Sequence, residues 1–171
     1  MTIFATGDTH FGHQLMVDHR GFSSKDEMDD EMIRLWNEVV SPKDTVYHLG
    51  DFAFNKKHEY YLSKLHGCIH LIMGNHDDSL TNTYLSKLRF ASVQSMKYLK
   101  HNGHKIHMLH YPMESWRSSY HGSFHFHGHS HGHSKPHGKR IDVGVDCWDL
   151  KPVSFDVLID KLKDEDNINH H

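Results

Sequence analysis

Three short apolar runs in this chain end in the same way. Ile3–Gly7 runs into Asp8, Thr45–Leu49 into Gly50-Asp51, and Cys68–Met73 into Gly74-Asn75-His76-Asp77. A short apolar run closed by glycine reads as a buried strand feeding a loop. Between the first two lies a helix. Met28, Met32, Leu35, Trp36 and Val39 form one stripe behind the capping box Ser24-x-x-Glu27, and Ser41-Pro42 ends it. Met28, Met32 and Trp36 are therefore core. The acidic residues 26–31 lie off the stripe as a solvated face. Strands alternating with helices place polar residues at the strands' carboxyl ends, where open α/β folds build their sites.

The second half is richer in strands. Residues 56–66 and 79–89 predict short helices, and Val93–His101 and Lys105–His110 flank Asn102-Gly103, a strong hairpin signal. Phe124–His127 and Lys139–Val145 predict two more strands. Ser154 caps a helix through Leu162, with Val153 and Leu158 as its hydrophobic staple. The pattern implies a layered α/β sandwich in one domain, residues 1–163, followed by a polar tail, 164–171, in which His170 and His171 carry no role. Cys68, inside the third run, reads as a small buried hydrophobe.

Composition narrows the chemistry. Of 171 residues 21 are histidine, more than the 19 Lys and Arg together, and the net charge is −3. That balance argues against stable binding to duplex nucleic acid. Two cysteines cannot build a disulfide framework or a thiolate zinc site. No apolar run approaches the roughly 20 residues of a membrane span, and no secretory leader is visible, so the expected location is cytoplasmic and off the membrane.

Histidine, carboxylate and an amide oxygen follow the strands: Asp8 and His10, Asp51, Asn75 to Asp77, His110, His129 and His131. These are ligands for hard-to-borderline divalent metals. Asp-x-His and His-x-His put two side chains one residue apart with a shared strand-like orientation, so both can reach one ion. Taken singly, an Asp after Gly only caps a loop, and Gly74-Asn75 only makes a turn.

The ordered set Asp8-Thr9-His10, Gly50-Asp51, Gly74-Asn75-His76-Asp77, His110 and Gly128-His129-Ser130-His131 resembles the calcineurin-like metallophosphoesterases, in particular their short single-domain bacterial and phage members. The resemblance implies two mixed β-sheets flanked by helices. It implies two divalent ions, manganese or iron first, with zinc, nickel or cobalt permitted. Asp8, His10 and His131 would hold one ion, Asn75, His110 and His129 the other, and Asp51 would bridge. His76 would stand uncoordinated beside the scissile phosphate. The implied activity is hydrolysis of a small phosphoester, a nucleotide-like diester first, by a metal-bridging hydroxide.

Departures from the family pattern bear on substrate. Gly50-Asp51-Phe52-Ala53-Phe54-Asn55 lacks the second Asp and the Arg that protein phosphatases of the family carry, which disfavours that activity. Asp77 is the remaining candidate to orient His76. Arg20 is a candidate phosphate contact or a solvated loop charge. His13 and His133 either face substrate or do not, and Tyr111, Trp116 and Arg117 either wall the leaving group or pack a loop. Residues 52–66, 78–92 and 111–123 are available to wall a modest pocket. Other functions stay open: a small-molecule phosphomonoesterase, a histidine-rich metal-binding protein without catalysis, and nucleic-acid processing as in the family's nucleases, against which the net charge of −3 counts. The chain is expected as a monomer, or as a dimer through the hairpin edge.

Overall fold

A computed structural model describes residues 1–54, 56–77, 82–85 and 87–168. Two mixed sheets face each other in an α/β layered sandwich. The first has the order β4-β3-β2-β1-β9 and the second β5-β6-β7-β8. Here β1 is Ile3–Thr6, β2 Thr45–His48, β3 Cys68–Ile72, β4 Ser92–Gln94 and β5 Met96–His101. The remaining strands are β6 His104–Leu109, β7 Phe124–His127, β8 Arg140–Asp142 and β9 Val153–Ser154. The helices are α1 Gln14–Arg20, α2 Lys25–Val39, α3 His58–Lys64, α4 Asn82–Leu85 and α5 Phe155–Leu162.

Strand alternation sorts two cores. Phe4, Val46, Ile69 and Leu71 point from the first sheet onto Met28, Met32 and Trp36 of α2 and Tyr61 of α3. Ala5, Tyr47 and Ile72 point the other way, onto Ile106, Met108, Phe124 and Phe126 of the second sheet. Phe155 and Leu158 of α5 fill the same inter-sheet core, and the expected staple partner Val153 joins them. Burying Phe126 and Phe155, 0% exposed and packed edge to face, stabilises by about 1.5–3 kcal/mol each.

Several boundaries differ from the sequence reading for local reasons. The run Val93–His101 is cut at Ser95: β4 joins the first sheet beside β3, and β5 joins the second beside β6. The chain thus crosses between layers without a loop, which hydropathy cannot signal. The Asn102-Gly103 turn has φ 47° and 82°, as a tight hairpin requires. Ser24 Oγ accepts from Glu27 N at 3.1 Å, but the Glu27 carboxylate returns to Ser23 N at 2.8 Å rather than to the cap's own amide. Helix α1 and strand β9 are additions that the sequence left as loop. Of the helix expected over 79–89, residues 79–81 and 86 lie outside the described residues, as do His170 and His171 of the tail.

Two burial expectations fail. Cys68 is exposed, not buried, because β3 begins at its position, at the margin of the sheet. Asp29, expected on the solvated face, is 6% exposed and accepts from Gly12 N at 3.0 Å and Tyr61 Oη at 2.7 Å. It ties α2 and α3 to the loop after β1.

Histidines outside the candidate donor set also go inside. Burial pushes His48 and His125 down to about 3 and His58 to about 4. As pH falls below about 6.5 the unfolded chain takes up these protons before the folded one does. Their contribution to stability is therefore present above about 6.5 and lost progressively toward 3–4. Each steepens the dependence by up to about 1.4 kcal/mol per pH unit. Urea denaturation of metal-free protein from pH 7.5 to 4.5 should show a midpoint that is level above about 6.5 and falls steadily below it. A flat profile would contradict neutral burial.

Candidate metal centre

Parallel pairing of β1, β2 and β3 brings their carboxyl ends to one edge, and β6 and β7, also parallel, end beside them. Backbone bonds carry the order past the strands. Leu49 N donates to Thr6 O at 2.7 Å, Asp8 N to Gly50 O at 2.9 Å, His10 N to Asp51 O at 2.9 Å and Gly128 N to His110 O at 2.9 Å. Thr9 Oγ1 donates to Phe52 O at 2.7 Å and meets His48 Nε2 at 3.0 Å, locking the first two loops together.

The loops turn in an unusual way. Asp8, His10, Asp51, His129 and His131 all have positive φ, between 45° and 67°. The sequence reading had Asp8 and His10 sharing a strand-like orientation; that is corrected here. The left-handed backbone curls each loop so that side chains separated by one residue converge. Asp and His tolerate this region better than most residues, yet each instance costs on the order of 1 kcal/mol or more.

Three groups of side chains bring one donor atom each to within 4.8 Å of one another: Asp8, His10 and His131; His10, Asp51 and His76; and Asp51, His110 and His129. Asp51 Oδ2 lies 3.6 Å from His10 Nε2, 3.6 Å from His110 Nε2 and 3.9 Å from His76 Nε2. Asp51 is shared by the second and third groups and His10 by the first and second, so the three form one cluster. Asn75 Oδ1 lies 3.0 Å from His110 Nε2.

The donors fit cations. His110 Nδ1 sits 2.6 Å from Leu49 O, so its proton is on Nδ1 and the Nε2 lone pair faces the Asn75 oxygen. Two acceptors that close want a positive charge between them. His131 has the same arrangement, with Nδ1 2.6 Å from Asp146 Oδ2, leaving Nε2 as its free donor. Both His10 nitrogens are buried with no hydrogen-bond partner among the described residues, a cost of about 1–3 kcal/mol for each unmet polar group.

Electrostatics agree with that geometry. Burial drives the Asp8 carboxyl well up, reinforced by Asp142 and Asp51 and opposed by His131. Burial pushes His10 down to about 2, with His131 and Arg20 adding to it. The Asp146 hydrogen bond instead raises His131. A pocket that resists both a second carboxylate charge and an imidazolium is one that favours a metal ion with neutral histidines.

Other expected residues are placed differently. Asp77 does not orient His76. Its carboxylate accepts from Asp51 N at 2.7 Å, Gly74 N at 2.9 Å and Phe52 N at 3.3 Å, and so holds the second and third loops in register. His76 is 44% exposed at the rim, its backbone amide donating to Asp51 Oδ1 at 2.9 Å. Arg20 lies beneath the donors with each guanidinium nitrogen engaged by Asp146, Asp8 O or Thr9 O, so it presents nothing to a phosphate.

His13 stacks on Phe54 at 3.8 Å and lies 6.2 Å from the His76 ring, beside the cluster. Tyr111 is exposed and packs edgewise on His110 and His129. Trp116 is 7% exposed, donates to Ser123 O and packs on His125, while Arg117 lies over the Tyr98 ring. Both cover the outer face of the second sheet instead of walling the donors. His133 is exposed, its amide closing a turn on Ser130 O.

The sequence reading missed Asp142 and Asp146. Asp142 accepts from Ser130 Oγ, Gly132 N and Gly144 N and so fixes the loop that carries His129 and His131. The signal was available for Asp146, which follows Val143-Gly144-Val145 much as Asp8 follows its own run, but not for Asp142, which lies inside the expected strand.

Comparisons with known proteins come from sequence and from structure. No protein-family model matches the chain. The uncharacterized protein MJ1445 of Methanocaldococcus jannaschii is 33% identical over 169 residues, covering 92% of this chain and 89% of that protein. The solved structure of the protein of unknown function AQ665 from Aquifex aeolicus superposes with a TM-score of 0.71 at 29% identity, over 94% of this chain and 98% of that one. The phosphoesterase YfcE of E. coli is a far looser likeness, with a TM-score of 0.43 and 12% identity over 84% of this chain and 78% of that one.

Gly50 is where the second and third loops touch. Its φ is 92°, and a Cβ there would lie 2.5 Å from Gly74 N and 2.6 Å from His110 Nδ1. Gly21, at φ 74°, has nothing within 4 Å. Gly21→Ala should therefore lose only the backbone cost of about 1–2 kcal/mol. Gly50→Ala should lose clearly more and also lower metal stoichiometry. Urea melts and metal analysis of the two variants give the comparison, and equal losses would show that the loops do not meet as described.

Proposed function

We propose that this chain, which belongs to the family of the Methanocaldococcus jannaschii protein MJ1445, is a metal-dependent phosphoester hydrolase acting on small, nucleotide-like phosphodiesters. One observation carries the reading. A single buried carboxylate, Asp51, joins two groups of metal donors while an exposed imidazole, His76, stands 3.9 Å from it at the rim.

Asp8, His10 and His131 would hold one divalent ion and Asn75, His110 and His129 a second, with Asp51 between them. Manganese or iron suits this oxygen and imidazole set, and zinc, nickel or cobalt are compatible with it. Ions held there would supply Lewis acidity: water activation at neutral pH and neutralisation of charge on the phosphoryl oxygens.

The side chains divide the remaining work. His76 is tethered through its amide to Asp51 Oδ1, which aims its Nε2 across the cluster, where a proton on that atom can pass to the departing ester oxygen. His13 and Phe54, stacked in parallel, close one side of this region and limit water there. Tyr111 flanks the other side over His110 and His129.

The preference for diesters rests on charge. Arg20, whose charge acts on His10, His13 and His131, is turned to Asp146 and cannot grip a phosphate. A singly charged diester asks less of such a site than a dianionic monoester.

Metal-stripped protein reconstituted with manganese, iron, zinc, nickel or cobalt should turn over a chromogenic phosphodiester faster than the matching monoester. The reverse order would assign a phosphomonoesterase. His76→Ala should keep the metal stoichiometry and lose about 10²–10⁴ in rate. Two bound metals with no turnover of either ester would favour a metal-binding protein without catalysis.

A further inference from the structure

We infer that Arg20 and Asp146 form a buried ion pair that positions one half of the donor cluster, Asp8, His10 and His131, separately from the half built on Asp51, His110 and His129. The inference rests on the metal-centre reading above and concerns how that centre is held.

Arg20 closes α1, and its side chain is 2% exposed. Nε donates to Asp146 Oδ1 at 2.7 Å and an Nη donates to Oδ2 at 3.1 Å, a two-pronged grip that only a guanidinium can make. The same Nη donates to the Asp8 carbonyl at 2.7 Å, and the other Nη to the Thr9 carbonyl at 2.8 Å. Asp146 Oδ2, in turn, meets His131 Nδ1 at 2.6 Å. One ion pair therefore reaches every donor of this half. It holds Asp8 by its own carbonyl, His10 by the peptide that precedes it, and His131 by the ring.

Each of these three donors has a left-handed backbone, with φ of 53°, 49° and 45°. A conformation of that kind persists only where surrounding bonds over-determine it. Arg20 supplies such bonds to the two consecutive peptides that set the Asp8–His10 turn. A carboxylate behind a metal-binding histidine also fixes its tautomer and makes it a stronger donor, and removing such a partner typically weakens metal binding about 10–100-fold.

The two halves touch, since His129 N donates to the Asp8 carboxylate at 2.9 Å and His10 N to Asp51 O at 2.9 Å, but the groups that orient the Asp51 and His110 side are different. His110 is oriented by the Leu49 carbonyl, and the Asp51 loop by the Asp77 carboxylate. Loss of the ion pair should therefore weaken one ion and spare the other.

The test is calorimetric titration of the metal-free full chain with Co²⁺, followed in parallel by its visible absorption. Wild type should show two binding steps. Asp146→Asn, nearly isosteric, should weaken one step about 10–100-fold and leave the other in place. Arg20→Lys, which keeps the charge and loses the fork, should weaken the same step. His131→Asn removes the ring and its bond to Asp146 while leaving the Arg20 fork on Asp146 in place, and should weaken the same step. Combining it with Asp146→Asn should then cost less than the sum of the two single losses, because part of the effect of Asp146 passes through His131.

Equal weakening of both steps, no change in either, or full additivity of the double variant would overturn the inference. Should Asp146→Asn fail to fold, as read by circular dichroism, Arg20→Lys and His131→Asn still decide whether one step is weakened. Two intact steps in those variants would overturn it. A wild-type chain that binds no Co²⁺ would overturn the metal-centre reading itself.

Discussion

The donor residues stand on backbone that resists being where it is. Asp8, His10, Asp51, His129 and His131 share the left-handed region, and for non-glycine residues that conformation has to be held in place by neighbours. Much of the remaining polar structure near the strand ends serves this purpose. Asp77 takes three amide protons from the second and third loops, Asp142 clamps the segment 130–132, and Arg20 takes the carbonyls of Asp8 and Thr9. The rigid sheets supply the anchor, because every one of these loops leaves a buried strand of the sandwich.

A consequence is that the cluster combines short distances with low charge tolerance. Asp8 and Asp51 converge with several imidazoles, and burial opposes both a carboxylate charge on Asp8 and protonation of His10. Left to itself such a cluster is expensive, with acceptor facing acceptor at Asn75 and His110 and an unpaired imidazole at His10. A fold that retains this arrangement would gain from a cation bound there, since binding energy to the native state is also folding energy.

Strand-end spacing made most of the donor set legible. The runs before Asp8, Asp51 and Asn75 became β1, β2 and β3 within a residue or two, and Ser24 capped α2 as its sequence indicates. Long-range partners were not legible. Arg20 looked like a surface or substrate cation until Asp146, 126 positions away, was seen opposite it, and Asp77 looked like a partner for the adjacent His76 until its oxygens were found on three amides. The break at Ser95, where one extended run is shared between two sheets, was equally silent, since both halves carry strand-like residues.

What the sequence by itself determined is the inventory and the order of the donors, because strand-forming runs and the residues that close them are local properties. It also determined the helical stripe of Met28, Met32 and Trp36, whose spacing needs no partner to be read. Tertiary structure decided which polar residues face a ligand and which face each other. Arg20 and Asp77 turned inward to hydrogen bonds made with distant segments, and Trp116 was buried on the second sheet, whereas His76 was left at the rim. The physical reason is that a buried polar group must find its partner somewhere in space, and only the packed layers bring that partner within reach.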